Sequence, residues 1–273
     1  MLSSKNIYNV IGVMSGTSID GIDLCYSEFT LNESVWSFSI KICETILYNE
    51  YWVEKLSQAN NFHDTILFDL DKEYTSFLAC VIKDFIKKNK ITNIDFISSH
   101  GHTVYHQPEE NYTFQLGNRI ELRELIKKPI VCDFRVQDVA LGGQGAPLVP
   151  IGDLLLFKDF SHCINLGGFC NISIKNDSEI TAYDICPVNV VLNYFSKEIG
   201  LSFDKDGNHA KLGSVNKELL KELNEIEYYE QEPPKSLGIE WVKENIFPII
   251  EKYKITNEDI LCTYTEHICC QIT

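Results

Sequence analysis

The sequence predicts an α/β fold, and three features of the 273-residue chain point to it. A buried-type strand, a glycine turn and a returning strand occupy residues 8–26. The same pattern recurs at 162–174. Between them, residues 64–90 carry apolar side chains at three- and four-residue steps, the period of an amphipathic helix. The length exceeds one small core and suits one large domain or two modest ones.

Residues 8–14 form an apolar run bounded by the turn Ser15-Gly16-Thr17-Ser18, and residues 21–26 resume as a second strand. In the 64–90 helix, Leu67, Leu70, Tyr74, Leu78, Ile82 and Phe85 share one stripe, with Asp64 the expected N-cap and lysines in the last turn. Residues 96–99 read as a strand that runs out into a polar loop. Residues 129–133 give a further short strand, followed by a glycine-rich loop at 140–147. In the second half, strands are expected at 162–166, 169–174 and 180–184. Helices are expected at 190–199, 217–227, 239–253 and from 257 onward. Two related halves are implied, divided as 1–155 and 156–273.

The 24 basic and 39 acidic residues leave a net charge of −15. That balance disfavours nucleic acid and anionic membrane, since both are bound through clustered Lys and Arg. No stretch approaches the roughly 20 apolar residues of a membrane span. Ten cysteines without a secretory signal or a CxxC pair read as reduced thiols in a cytosolic protein.

The densest chemical signal is GVMSGTSIDGID at 12–23. Gly16 and Gly21 allow close approach of backbone amides to a ligand, and Thr17 and Ser18 add hydroxyls. Such a turn suits phosphate oxygens. Asp20 and Asp23 would repel phosphate unless Mg²⁺ stands between. A plain hairpin turn has the same composition. His100, His102 and His106 form a second cluster. In extended chain His100 and His102 share a side, so a metallohydrolase is one reading and histidines of a sugar-pocket loop another. Arg135, between Asp133 and Asp138, is either a fork for a substrate carboxylate or half of an Arg–Asp pair. Asp184 ends a strand beside a turn, a common position for a general base.

Seven segments together resemble the anhydro-N-acetylmuramic acid kinase family: VIGVMSGTSIDGIDL, SSHGHTVYH, QLGN, DFRVQDVALGGQGAPLVP, INLGGFCNIS, YDICPVN and PPKSLGIEW. They occur in family order and span nearly the whole chain. The resemblance implies a two-domain actin-like ATPase (ribonuclease H-like) fold with a nucleotide cleft. It implies ATP as co-substrate with Mg²⁺, and hydrolytic opening of 1,6-anhydro-N-acetylmuramic acid with phosphorylation of O6, in peptidoglycan recycling. No resident metal is expected, and a homodimer is.

On the same basis Asp184 is the catalytic base. Gly16, Thr17, Ser18, Asp20, Gly21 and Asp23 face phosphate, and Gly167, Gly168 and Asn171 form a second phosphate-facing hairpin. Arg135 addresses the lactyl carboxylate, with Gln115 and His102 as further sugar contacts. Two departures stand out. The family stretch DTGPGN here has Ile185, Cys186 and Val188 in place of Thr and two Gly, which reads as a lineage variant with a stiffer turn. Family members also continue through a GGGxxN-type adenosine-side motif and a later acidic motif, GDxxEA. The second domain is thus expected to be truncated, with apolar faces exposed and ATP binding weak. A non-catalytic relative that still holds amino sugar or phosphate is the alternative.

Overall fold

A computed structural model describes residues 5–16, 19–176, 179–233 and 235–273. The chain divides into two compact units, Met1–Leu156 and Phe157–Thr273. Both mix strands and helices, so the α/β class holds.

In the first unit, β1 (Ile7–Ser15), β2 (Gly21–Asn32) and β3 (Val35–Leu47) form an antiparallel meander. β4 (Phe96–Gln107) lies parallel to β1, β5 (Tyr112–Leu116) is antiparallel to β4, and the two-residue β6 (Ile130–Val131) also pairs with β4. The sheet order is β3-β2-β1-β4-β5, with β6 off that path. β1 is central, and Val10, Ile11 and Val13 are all buried, as an interior strand without polar alternation should be.

Helices α1 (Glu50–Gln58), α2 (Asp64–Lys88), α3 (Ile120–Ile126), α4 (Phe134–Ala140) and α5 (Val149–Leu156) complete this unit. The expected stripe of α2 is buried from Leu67 to Phe85 and joins Ile11, Ile22, Leu24, Ile97 and Leu116 in one core. Asp64 is not the cap. His63 holds that position without a side-chain bond, and Asp64 is the first helical residue, where its charge still favours the helix dipole.

Two expectations for this unit need correction. β4 does not end at residue 99 but continues to Gln107, so the three histidines lie on a strand rather than in a loop. Gly101, at φ +72°, permits the irregularity there, because a Cβ would fall 2.5 Å from the Leu116 carbonyl oxygen. The sequence reading also has no strand at 35–47, although Trp36, Phe38, Ile40 and Ile42 alternate with polar residues. The hairpin joining β2 to β3 turns through Glu33 and Ser34, both at positive φ.

α5 is strongly apolar yet has no buried residue. A cavity of about 610 Å³ lies beside it, lined by Tyr8, Phe29, Trp36, Phe96, Ile151 and Leu155.

In the second unit, β7 (His162–Leu166), β8 (Phe169–Asn176) and β9 (Glu179–Pro187) form an antiparallel sheet in that order. It is followed by α6 (Asn189–Glu198), α7 (Lys217–Asn224), α8 (Ile239–Asn245), α9 (Phe247–Glu251) and α10 (Asn257–Ile272). The helix expected at 239–253 is broken at Ile246, because Pro248 cannot donate to the preceding turn. Val191, Phe195, Leu219, Leu223, Val242, Ile250, Leu261 and Tyr264 fill the core of this unit. All ten cysteines are free. Among the described residues no helix is long and apolar enough to cross a membrane.

Candidate functional site

In the first unit the chemistry gathers at the ends of β1 and β4. Gly16 opens the turn, Thr17 and Ser18 lie outside the described residues, and Ile19 donates back to the Gly16 carbonyl at 3.2 Å. Gly21 starts β2 where a Cβ would meet the Ile46 carbonyl oxygen at 2.5 Å, so glycine is required by the approach of β3. Asp20 and Asp23 are exposed. The Thr45 hydroxyl donates to one Asp23 oxygen across the β2–β3 pair.

Ser15, the last residue of β1, is buried and hydrogen-bonds both the Tyr48 hydroxyl, at 2.7 Å, and Nδ1 of His102, at 2.9 Å. Burial pulls the His102 imidazolium down to about 4, so the ring is neutral near neutral pH. His100 has different partners. Its Nδ1 contacts the Gly101 carbonyl at 2.9 Å, and its Nε2 accepts from Nε of Arg135 at 3.0 Å. A ring that donates from Nδ1 and accepts at Nε2 is neutral, in keeping with a pKa lowered by burial, with the Arg135 charge adding to the shift.

Arg135 sits on α4 and also donates from Nη1 to the Gly145 carbonyl at 2.6 Å, while the Gly145 amide donates to Asp138 at 2.6 Å. The Arg–Asp pair is therefore not formed. Asp138 holds the glycine loop instead, and no carboxylate among the described residues pairs with the half-buried guanidinium, whose Nη2 is left available. A partly desolvated cation without a protein anion is suited to an anionic ligand. Gln115 is buried, with its amide donating to Thr113 Oγ1 at 2.8 Å, so it ties down β5.

The metal-ligand reading of the histidines is not favoured. His106 contacts Thr113 at 3.3 Å, so each of the three rings has separate partners. No group of three or more metal-ligating side chains occurs among the described residues.

In the second unit, Gly167 and Gly168 turn β7 into β8, and their carbonyls are used at the start of α6. Val188 N donates to Gly168 O at 2.8 Å, and the Asn189 side chain to Gly167 O at 2.8 Å. Asn171 lies opposite Asn165 on one side and Asp184 on the other, so a polar row crosses all three strands. Asn165 is absent from the sequence reading. Its signal is the polar residue placed symmetrically with Asn171 about the glycine turn.

Asp184 is half-buried on β9. Its Oδ2 accepts from Leu237 N at 2.9 Å, its own amide donates to Lys235 O at 3.2 Å, and its carbonyl accepts from the Tyr228 hydroxyl at 2.7 Å. Desolvation raises the carboxyl above the usual range, and the Leu237 amide only partly opposes that. Oδ1 has no partner among the described residues. Lys235 secures the clasp by donating from Nζ to Tyr228 O at 3.1 Å, with its ammonium 4.8 Å from the Tyr228 ring centre. Neither Lys235 nor Tyr228 was picked out by residue type, since both partners lie more than forty residues from Asp184.

A sequence profile described as anhydro-N-acetylmuramic acid kinase matches residues 8–273. The chain belongs to the anhydro-N-acetylmuramic acid kinase family. Among similar proteins, the anhydro-N-acetylmuramic acid kinase of Sulfurimonas denitrificans is 34% identical over 257 residues, covering 89% of this chain and 68% of that protein. The protein of the same name from Pseudomonas syringae pv. tomato is 35% identical over 276 residues, covering 96% and 74%. A solved Aquifex aeolicus member of the Ppx/GppA family aligns over 89% of this chain and 71% of that one at 11% identity. Its TM-score of 0.34 is too low to carry an argument.

Membership gives the substituted turn of this family member a physical reading. Cys186 and Val188, where the resemblance leads one to expect glycines, are buried in the second core, and Ile185 packs against it. Cys186 lies opposite Cys170 on β8, and burial pushes its thiol up to about 12, so it is no nucleophile. The replacements extend a core while Asp184, Pro187 and Asn189 keep their places. Positioning of the carboxylate falls to the 235–237 segment.

Proposed function

We propose that the chain opens 1,6-anhydro-N-acetylmuramic acid with water and phosphorylates its O6 from ATP, giving N-acetylmuramic acid 6-phosphate and ADP. The observation that carries the reading is Asp184: a half-buried carboxyl with raised proton affinity and one oxygen without a partner among the described residues, at the position to which the family resemblance assigns the base. Asp184 takes a proton from the water that attacks C1, the C1–O6 bond breaks, and O6 receives the γ-phosphoryl group as ADP leaves. A base of raised proton affinity is matched to that step near neutral pH. Phosphoryl transfer then needs positioning and charge neutralisation more than covalent help.

Arg135 would take the lactyl carboxylate that distinguishes muramic acid from glucosamine. It keeps a half-buried charge that no carboxylate among the described residues neutralises, and His100 fixes its plane. The turn from Gly16 to Asp23 would face phosphate in the first unit, and Gly167, Gly168 and Asn171 in the second. Asp20 and Asp23 are exposed hard-oxygen donors, which fits Mg²⁺ held mainly through substrate phosphates. When bound, the ion would neutralise charge on the transferred group.

The test is phosphate transfer from ATP to 1,6-anhydro-N-acetylmuramic acid by the wild-type chain and Asp184→Asn. The variant should fall by roughly 10²–10⁴ in kcat, the contribution of a general base. A variant as active as wild type would remove Asp184 from the role, and phosphorylation of other sugars alone would remove the substrate.

A further inference from the structure

Asn171 and Asp184 face each other across β8 and β9, and an irregularity in the ladder decides how. Phe169 pairs with Pro187 and Cys170 with Cys186, but Asn171 pairs with Asp184, so Ile185 has no partner on β8. In unbroken alternation Asp184 would share the face of Cys186, which belongs to the second core. The bulge at Ile185 turns it to the other face, the one that carries Asn171. Burial agrees: Cys170 and Cys186 are 0% exposed, whereas Asn171 and Asp184 are both half-buried.

The pair is also of the close kind. The Asp184 amide donates to Lys235 O at 3.2 Å and its carbonyl accepts from the Tyr228 hydroxyl at 2.7 Å, so both backbone groups point away from β8. Opposed residues that exchange no ladder bonds have Cα atoms about 4.5 Å apart and the nearest side chains.

Yet the two side chains do not bond each other. Oδ2 of Asp184 accepts from Leu237 N at 2.9 Å, while Oδ1 has no partner among the described residues, and neither has the Asn171 carboxamide. Through its carbonyl oxygen Asn171 presents a second acceptor beside that of the carboxylate. A molecule that joins two acceptors must donate twice. Water does so, and with both protons committed its lone pairs are left for an electrophile.

We propose that Asn171 is a second catalytic residue, which accepts one proton of the nucleophilic water while Oδ1 of Asp184 accepts the other. As the water oxygen bonds C1, the proton facing Asp184 passes to the carboxylate and the C1–O6 electron pair goes to O6. The other proton stays on the new C1 hydroxyl, still held by Asn171. This role rests on Asp184 being the base of sugar opening, and it takes Asn171 beyond a phosphate contact.

Steady-state kinetics of the full chain with ATP and 1,6-anhydro-N-acetylmuramic acid test it. Asn171→Ala should lower kcat about tenfold, the value of one hydrogen bond, with KM for either substrate within about twofold of wild type. A raised KM for ATP at unchanged kcat would leave Asn171 a phosphate contact and overturn the proposal. Asn171→Asp keeps an acceptor of the same shape but sets a second carboxylate beside the first. Like charges that close raise the pKa of the base, and kcat falls as the base protonates. The acid limb of the kcat profile should therefore move up by about one pH unit or more. A limb that stays in place would separate Asn171 from the water of Asp184, whatever the alanine variant does to folding. If Asn171→Ala matches wild type while Asp184→Asn is inactive, the base stands and Asn171 loses its role. If Asp184→Asn is as active as wild type, or the wild-type chain forms no phosphorylated sugar, both fall together.

Discussion

His267 offers a direct measure of how much the second unit depends on a neutral buried imidazole. It lies on α10, wholly buried, with Nδ1 2.6 Å from Asn224 Oδ1 and Nε2 3.0 Å from the Tyr229 hydroxyl. Nδ1 must donate to the amide oxygen, so Nε2 accepts from tyrosine and the ring is neutral. Burial lowers its pKa to about 4. As pH falls, the unfolded chain binds the proton first, so stability is lost from about pH 6.5 down to the folded value and is flat above that window.

Between pH 7 and pH 5 the difference between the two states amounts to about 2 kcal/mol for this one group. Asp184 works in the opposite sense, since a raised carboxyl gains stability as it protonates. The decisive quantity is therefore a difference between proteins: urea unfolding of wild type and His267→Gln at both pH values. The variant should cost about 1–3 kcal/mol at pH 7 through its lost hydrogen bond. Its further loss on going to pH 5 should be smaller than that of wild type by about 2 kcal/mol. Equal acid sensitivity in the two proteins would show that His267 titrates normally in the fold and would refute the reasoning.

Other expectations follow from single contacts. Gly101→Ala forces a Cβ against the Leu116 carbonyl at φ +72°, so unfolding free energy, read by urea titration, should fall by at least about 2 kcal/mol. Gly152→Ala, in α5, meets nothing within 4 Å and should raise the thermal midpoint through about 0.5–1 kcal/mol of helix propensity. Lys235→Met removes the Nζ bond to Tyr228 while keeping the stem. It should lower kcat more than it raises KM for either substrate, because it loosens Asp184 rather than a binding contact. Arg135→Lys should raise KM for the sugar about tenfold or more, since an ammonium cannot span both His100 and a carboxylate in one plane.

Much of the architecture was legible because local pattern and burial agree. Val10, Ile11 and Val13 announce an interior strand, and the stripe from Leu67 to Phe85 announces α2. β3 was missed, although Trp36, Phe38, Ile40 and Ile42 alternate with polar residues along it. The break at Ile246 was also missed, because the effect of Pro248 depends on its place relative to the helix start. The site was readable as residue types but not as partnerships. Arg135 beside two aspartates suggested an ion pair, whereas its partner is His100, 35 positions away. The residues that hold Asp184 come from 228 and 235–237, a proximity set by folding of the chain and carried by no spacing in it.

The sheet orders have a consequence for a chain made from its N-terminus. β1, β2 and β3 are sequential hairpin neighbours, so they can pair as soon as they emerge during synthesis, before β4 arrives to lie against β1. The buried residues of the first unit's main cluster all precede residue 123, with only Ile126 and Ile130 packing on later, so that cluster can close while the second unit is still being made. The second unit has the reverse timing. Its β7-β8-β9 meander forms early, but Leu261, Tyr264 and Ile268 on its last helix are needed to cover Cys170, Cys186 and Val191. Its apolar sheet face thus waits until α10 is made, longer than the core of the first unit waits, and is a stretch on which nascent-chain chaperones would be expected to act.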